Sequence, residues 1–293
     1  MHCAFIEADK KRFNHLQQEI TPWDEVKGLK TYPLEMSFPE GLAVLREQLP
    51  KPFEKSHPLF VFIDPFGATG APFTSVTEVL KSPCSEVLIN LDADGIARIF
   101  RAEESANSEE TLNSIFGDSS WKKLPGKETP FHVLCRDVLD LYKTRLRSLP
   151  NIRFVFAFEM QTTVGVLNYF LVFASQHPLG LEKMKESMKS IDQDGNYRFS
   201  DGSLNQSSLF RFNDPALYIP SLLHRFEGKT VSYDVLKEFV LNETAFVNPK
   251  SMLKDLELRD QIKVFSQATK RRKGTFSQTD NLRIHFPKGD TNG

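Results

Sequence analysis

The chain has 293 residues, of which 40% are hydrophobic and 26% are charged, and its formal net charge is -1. This length suffices for two ordinary domains, and the composition excludes a disordered, collagen-like or coiled-coil protein. The charge balance predicts no overall attraction to nucleic acid, so such binding would need a local basic patch. No apolar run could span a bilayer and no signal peptide opens the sequence, so we expect no membrane partner and a cytoplasmic protein.

The three cysteines are far apart in the sequence, at Cys3, Cys84 and Cys135. No two of them share the CxxC spacing of a zinc finger, so the sequence predicts no metal site. Each lies in an apolar stretch, which is typical of a buried cysteine in a reducing compartment.

The first segment of the chain reads as a strand and a helix. Residues 2–7 form an apolar strand that ends in an acid, and Asp9 then caps a helix with an apolar face. Residues 31–38 are a weaker strand candidate, followed by a helix through Leu49. Because the sequence opens in mid-strand, with no turn or cap before it, we expect that a start is missing.

The strongest strand signal is the continuous apolar run of residues 59–63, which ends at Asp64-Pro65-Phe66-Gly67. Such runs are typical of strands buried on both faces of a parallel sheet. A helix is predicted over 73–80 and a strand over 86–91, and this alternation favours βαβ units. Residues 101–130 are polar and irregular, which predicts loops or short helices.

The end of this region predicts a reversed strand. A helix over 133–146 leads into strands at 153–158 and 168–174. The link between these strands is too short for a crossover, so the last pair is expected to be antiparallel. This arrangement is typical of class I S-adenosylmethionine-dependent methyltransferases. The predicted fold class is therefore α/β, with a Rossmann-like methyltransferase domain over residues 1–200 that lacks its first strand and glycine loop.

A second domain is predicted after a linker. Residues 192–208 are rich in Asp, Asn, Gly and Ser, which is typical of a loop. Three helical patterns and a pair of strands follow, and they predict a winged-helix domain over residues 210–288. The helices are expected at 215–226, at 233–240 and from Pro249, and the strands at 262–265 and 282–286.

Two acids at strand ends are candidate site residues. In nucleotide and S-adenosylmethionine folds an acid at the position of Glu7 accepts hydrogen bonds from ribose hydroxyls, and the alternative is a solvated acid leading to the Asp9 cap. In amino-methyltransferases an acid followed by prolines and an aromatic residue holds the target amine, and the aromatic stacks on a flipped base. Asp64 and Phe66 fit this pattern, except that the aromatic residue comes one place early and the second proline is missing. The alternative interpretation of these residues is a tight turn.

Three further strand-end polar residues are expected to be structural, namely Asn90, Asp92 and Glu159. We favour the site over the turn at Asp64, because a bulky apolar strand delivers this acid to the sheet edge. Glu7 and Asp64 are therefore expected at the same edge of one sheet, where both would contact the cofactor.

The only concentrated basic run in the sequence is Lys270, Arg271, Arg272 and Lys273, at the predicted wing tip. Four consecutive cations would make a salt-sensitive contact with nucleic-acid phosphates. The alternative is a solvated hairpin tip, and winged helices also dock proteins.

Four segments together resemble the bacterial three-Cys-motif partner proteins, and the resemblance runs along nearly the whole chain. These segments are residues 5–7, 60–67, 87–90 and 169–180. The resemblance implies a methyltransferase-like fold, S-adenosylmethionine as cofactor and a three-Cys-motif protein as partner. Members of that family begin with a strand leading into an Asp and a glycine loop, which in methyltransferases cradles the methionine part of the cofactor. Because these residues lack that segment, we expect weakened cofactor binding.

The leading hypothesis is a methyltransferase-like enzyme that acts on nucleic acid. Glu7 would hold the ribose of the cofactor, and Asp64 with Phe66 would form the methyl-acceptor site. The alternative is a catalytically inactive partner protein whose winged helix contacts nucleic acid or a neighbouring protein.

Overall fold

The computed structural model describes residues 1–54, 57–102, 106–161, 167–191, 198–199, 214–267, 271–277 and 281–288. These residues form a mixed α/β protein with two compact units. Unit 1 contains residues 1–152 and 168–176, and unit 2 contains residues 153–167 and 177–293. This division differs from the expected boundary near residue 200. No helix in the described ranges combines the length and the apolarity needed to cross a membrane.

Strands and helices alternate along most of the described chain. The strands are β1 His2–Glu7, β2 Lys30–Glu35, β3 Leu59–Ile63, β4 Ser85–Leu91, β5 Phe154–Gln161, β6 Leu167–Ser175, β7 Arg198–Phe199, β8 Thr230–Ser232, β9 Lys263–Phe265 and β10 Arg283–His285. The helices are α1 Lys10–Ile20, α2 Phe38–Gln48, α3 Lys51–Glu54, α4 Phe73–Leu80, α5 Ala93–Arg101, α6 Ala106–Phe116, α7 Phe131–Arg147, α8 Pro178–Ile191, α9 Ile219–Phe226, α10 Tyr233–Glu243 and α11 Lys250–Leu258.

Side-chain caps fix the helix starts that matter for the site. The carboxylate of Asp9 accepts the backbone N–H of Arg12 at 2.8 Å, which begins α1 directly after β1. Ser37 and Glu40 form a capping box at the start of α2. These caps satisfy N–H groups that have no partner inside the helix, so each helix begins within a few residues of the strand before it.

The strands of unit 1 fall into two hydrogen-bonded groups. β1 pairs in parallel with β2, and β3 pairs in parallel with β4. β6 is antiparallel to β4, so the predicted reversal of the last strand is confirmed. The prediction of a single sheet is wrong, because β1 is not hydrogen-bonded to β3. Among the described residues, one edge of β1 and one edge of β3 have no strand partner.

Two features of unit 1 correct the sequence analysis. The region 101–130 contains an eleven-residue helix, α6, whose Leu112, Ile115 and Phe116 are buried. The polar residues of α6 occupy its solvent face, which hid the helical pattern. Cys135 is buried as expected, and burial raises the pKa of its thiol to about 11. Cys84 is exposed, because it lies in the turn between α4 and β4.

The described part of residues 219–286 in unit 2 contains the helices α9, α10 and α11 and an antiparallel sheet in the order β8-β10-β9. One face of this sheet packs on α9, α10 and α11, and the fully buried residues include Leu222, Leu236, Leu253, Ile284 and Phe286. The predicted helices and strands of this region are confirmed to within a few residues.

Two parts of unit 2 were not foreseen. The strand β7 pairs in parallel with β5 inside the segment predicted as a linker, most of which lies outside the described residues. In α8, the ammonium of Lys185 is buried and donates hydrogen bonds to the carbonyls of Thr244 at 2.6 Å and Phe246 at 3.2 Å. It also lies 4.1 Å from the ring centre of Phe156. These contacts compensate for the cost of burying the charge, and they join α8 to the residues that follow α10.

Candidate ligand-binding site

The side chain of Arg12 connects the carboxyl ends of β1 and β3. Its Nε lies 3.6 Å from Oε1 of Glu7, the last residue of β1. Its guanidinium carbon lies 4.6 Å from the ring centre of Phe66, which follows β3 by three residues. Glu7 and the turn after β3 therefore lie at the same end of unit 1, although their strands belong to different sheets.

Glu7 has a structural role in addition to any binding role. Its Oε1 accepts the backbone N–H of Asp9 at 2.8 Å, which shapes the turn between β1 and α1. The side chain remains partly exposed, at 29%, so its carboxylate is also accessible to a ligand. Both sequence interpretations of Glu7 are thus compatible with its geometry.

Asp64 is held by a neighbour that the sequence analysis had assigned a structural role. Nδ2 of Asn90 donates a hydrogen bond of 2.6 Å to Oδ1 of Asp64. Because Ile63 pairs with Ile89 in the sheet, Asp64, which directly follows β3, lies beside Asn90, the next-to-last residue of β4. The strand alternation in the sequence could have identified Asn90, had the parallel register been known.

The turn after β3 presents an aromatic ring to solvent. Phe66 is 85% exposed, and Arg12 covers one face of its ring. Gly67 and Gly70 have φ values of +79° and +101°, which other residues adopt only with strain. Because Arg12 covers only one face of the Phe66 ring, the other face is available for stacking. Asp92 takes no part, because its carboxylate caps α5 by accepting the N–H of Gly95 at 2.8 Å.

A polar cleft of about 430 Å³ opens beside this turn, between the loop 69–72 and one face of α6. Gly70 lines the cleft and also lies beside Pro65 of the turn, since a side chain at position 70 would begin 3.6 Å from Cβ of Pro65. The sequence analysis missed the cleft because it did not predict α6. The lining side chains include Thr69, Asn107, Glu110, Thr111 and Ser114.

The basic run is only partly a free surface, and the prediction of an exposed tip is wrong for Arg271. Its guanidinium donates two hydrogen bonds of 2.6 Å to Glu257 of α11 and lies 4.9 Å from the ring centre of Phe276. Only 11% of its side chain is exposed. Lys273 donates a 2.6 Å hydrogen bond to Asp260, whereas Arg272 is exposed, and Lys270 lies outside the described residues.

The Glu257–Arg271 pair is a structural element of unit 2. Burial would raise the pKa of Glu257, but hydrogen bonds from Arg271 and from the backbone N–H of Gly274 outweigh it, and the pKa lies below its ordinary value. The carboxylate is therefore ionised at neutral pH and needs its guanidinium partner. Arg271 is consequently unsuited to a phosphate contact, since it would have to leave a buried acid.

Comparison with known protein families, curated proteins and solved structures finds no match for this chain. The resemblance to the three-Cys-motif partner proteins therefore stays a prediction. Within the described ranges, no cluster of three or more His, Cys, Asp or Glu side chains is placed to hold a metal ion.

The two arginines of the basic run provide a matched pair of variants. Arg271→Ala should destabilise the protein by about 3–5 kcal/mol, because it leaves the charge of Glu257 buried without its partner. Arg272→Ala should change stability by no more than about 0.5 kcal/mol, since this side chain is exposed. Chemical denaturation of both variants measures the difference. Equal stability of the two would show that Arg271 is as solvated as its neighbour.

Proposed function

We propose that unit 1 carries a methyltransferase-like site, in which an S-adenosylmethionine-type cofactor meets an extruded nucleic-acid base. The observation that carries this proposal is the position of Arg12 between Glu7 and Phe66. This position brings Glu7, which we propose as the acceptor of ribose hydroxyls, close to an exposed aromatic ring. Open α/β sheets bind ligands in a crevice outside the carboxyl ends of their strands.

The hydrogen bond from Asn90 to Asp64 supports the acceptor half of the site. The hydrogen bond that Asn90 donates to Oδ1 holds the carboxylate of Asp64 in one orientation. The carboxylate keeps lone pairs that accept a hydrogen bond from a second donor. An exocyclic amine of a base that stacks on Phe66 would supply this donor. Base-modifying enzymes read extruded bases through such hydrogen bonds and stacking contacts.

The order of the strands supports the methyltransferase-like fold. Doubly wound folds of this type have the strand order 3-2-1-4-5, with the first strand in the middle. Here β2 and β1 would take positions 3 and 2, and β3 and β4 would take positions 4 and 5. The open edges of β1 and β3 are then those that would flank the first strand.

The described residues fit only one half of the cofactor. Glu7 is placed to accept hydrogen bonds from ribose hydroxyls, and the ring of Phe66 is nearby. The sequence contains no glycine-rich loop that would cradle the methionine part. When bound, the cofactor would supply an electrophilic methyl group, while Asp64 would orient the acceptor amine.

We further propose that residues 219–286 are a winged helix that contacts nucleic acid. The order α9-β8-α10-α11-β9-β10, with a sheet in the order β8-β10-β9, is that of three helices followed by a wing. Winged helices and other helix-turn-helix domains place a helix in the major groove. The alternative function is an inactive partner protein that uses this winged helix to bind nucleic acid or a neighbouring protein.

The first test measures the cofactor affinity of this chain. Calorimetric titration with S-adenosylmethionine should show weak binding that does not reach saturation, because the described residues contact only the nucleoside half of the cofactor. Glu7→Gln should weaken this binding further, and Glu19→Gln, an exposed acid at the far end of α1, is the matched control. Saturable micromolar binding by the parent chain would contradict the inferred absence of the methionine contacts.

The second test measures methyl transfer to nucleic acid, with labelled cofactor at a high concentration. Asp64→Ala should reduce the rate by about 100-fold or more, because it removes the acceptor of the reacting amine. Phe66→Ala should reduce it by roughly tenfold, because it removes the stacking surface. The control is Asp94→Ala on α5, whose carboxylate pairs with Arg98 at 2.6 Å. No transfer by the parent chain would favour the inactive partner protein.

A further inference from the structure

The outer face of the three-stranded sheet in unit 2 combines an exposed aromatic ring with cations. The inner residues Val231, Val264 and Ile284 pack in the core of the unit. Since side chains alternate along a strand, the residues on either side of them project outward together. The outer face consists of Thr230, Ser232, Lys263, Phe265, Arg283 and His285.

The register places these residues in two rows across the strands. Phe265 is 54% exposed and lies opposite Arg283 on the central strand β10. Lys263 lies opposite His285, whose Nδ1 is 3.0 Å from the hydroxyl of Thr230. Residues directly opposite on neighbouring strands are close enough for a single ligand to contact both.

The charge of this face has one sign. None of its six residues is Asp or Glu, and neither Lys263 nor Arg283 forms an ion pair with a residue that the structure describes. This arrangement differs from the wing, where Arg271 and Lys273 are paired with acids. Two cations with no acid on the same face give it a positive field, which favours a polyanion as the ligand.

We propose that this face binds single-stranded nucleic acid. Phe265 would stack on a base, and Lys263 and Arg283 would contact the phosphates on either side. Proteins that bind single strands combine exposed aromatic rings with a positively charged surface in this way. A duplex keeps its bases stacked on one another, so Phe265 could not stack on them. The inference rests on the proposed contact between unit 2 and nucleic acid, and it assigns a single strand to the outer face of the sheet.

Fluorescence anisotropy with a labelled oligothymidylate, titrated at several salt concentrations, tests this inference. Phe265→Ala should weaken binding by roughly tenfold, while Phe265→Tyr, which keeps the ring, should bind like the parent. The double variant Lys263→Ala/Arg283→Ala should also bind more weakly. Its log–log dependence on salt should become shallower by about 0.7 for each phosphate that is no longer neutralised.

Two matched controls separate this face from the rest of unit 2. Leu258→Ala removes an apolar side chain that is also 54% exposed, and Arg272→Ala removes an exposed cation of the wing. Both should bind like the parent. The inference is overturned if the outer-face variants bind like the parent, or if Arg272→Ala alone weakens binding. Absence of binding by the parent at low salt also overturns it, and would indicate a protein ligand for this face.

The titration contains no cofactor, so its outcome is independent of methyl transfer. Failure of the oligonucleotide to bind this face, with methyl transfer intact, would reject this inference alone. Transfer that is absent while the oligonucleotide binds would reject the methyltransferase proposal alone.

Discussion

The open edges of β1 and β3 are the constraint on which the rest of unit 1 depends. Along one edge of each of these strands, the backbone N–H and C=O groups lack a strand partner among the described residues, so side chains and helices must hold the two sheets in place. Arg46 of α2 does so by donating a 2.6 Å hydrogen bond to Glu78 of α4. Hydrogen bonds from Lys81 and Arg46 lower the pKa of Glu78, so this carboxylate is ionised at neutral pH. Arg12 makes the second connection, at the carboxyl ends of the strands.

These connections fix the positions of the site residues, but they contribute little to the free energy of unfolding. A cation over an exposed aromatic ring contributes about 0.5–1 kcal/mol, and a solvated ion pair contributes no more. Arg12 can therefore leave the face of Phe66, or share it, at a cost that a stacking ligand would offset. The stacking that we propose for a base on Phe66 therefore requires no change in the core of unit 1.

Local structure could be predicted from the sequence, whereas contacts between residues that are far apart in the sequence could not. The cap at Asp9 and the apolar run before Asp64 were sufficient to place β1, α1 and β3, because these signals are local. The prediction of one sheet was wrong, since the partners of a strand are not encoded within the strand itself. Asn90 was missed as a partner of Asp64, because only the register of β3 on β4 brings them together. The basic run shows the same limit, since Glu257 lies fourteen residues before the arginine that it binds.

The central claim is that Glu7 and Phe66 share one crevice through Arg12. Nuclear magnetic resonance of the Arg12 side chain, with ¹⁵N-labelled arginine, measures this most directly. The ring current of Phe66 should displace the Arg12 Nε–Hε signal, and Phe66→Leu should remove that displacement. Glu7→Gln should move the same signal, while Glu19→Gln, at the far end of α1, should not. An Arg12 Nε–Hε signal that has the same chemical shift in the parent, in Phe66→Leu and in Glu7→Gln would contradict the account, because the ends of β1 and β3 would then not meet.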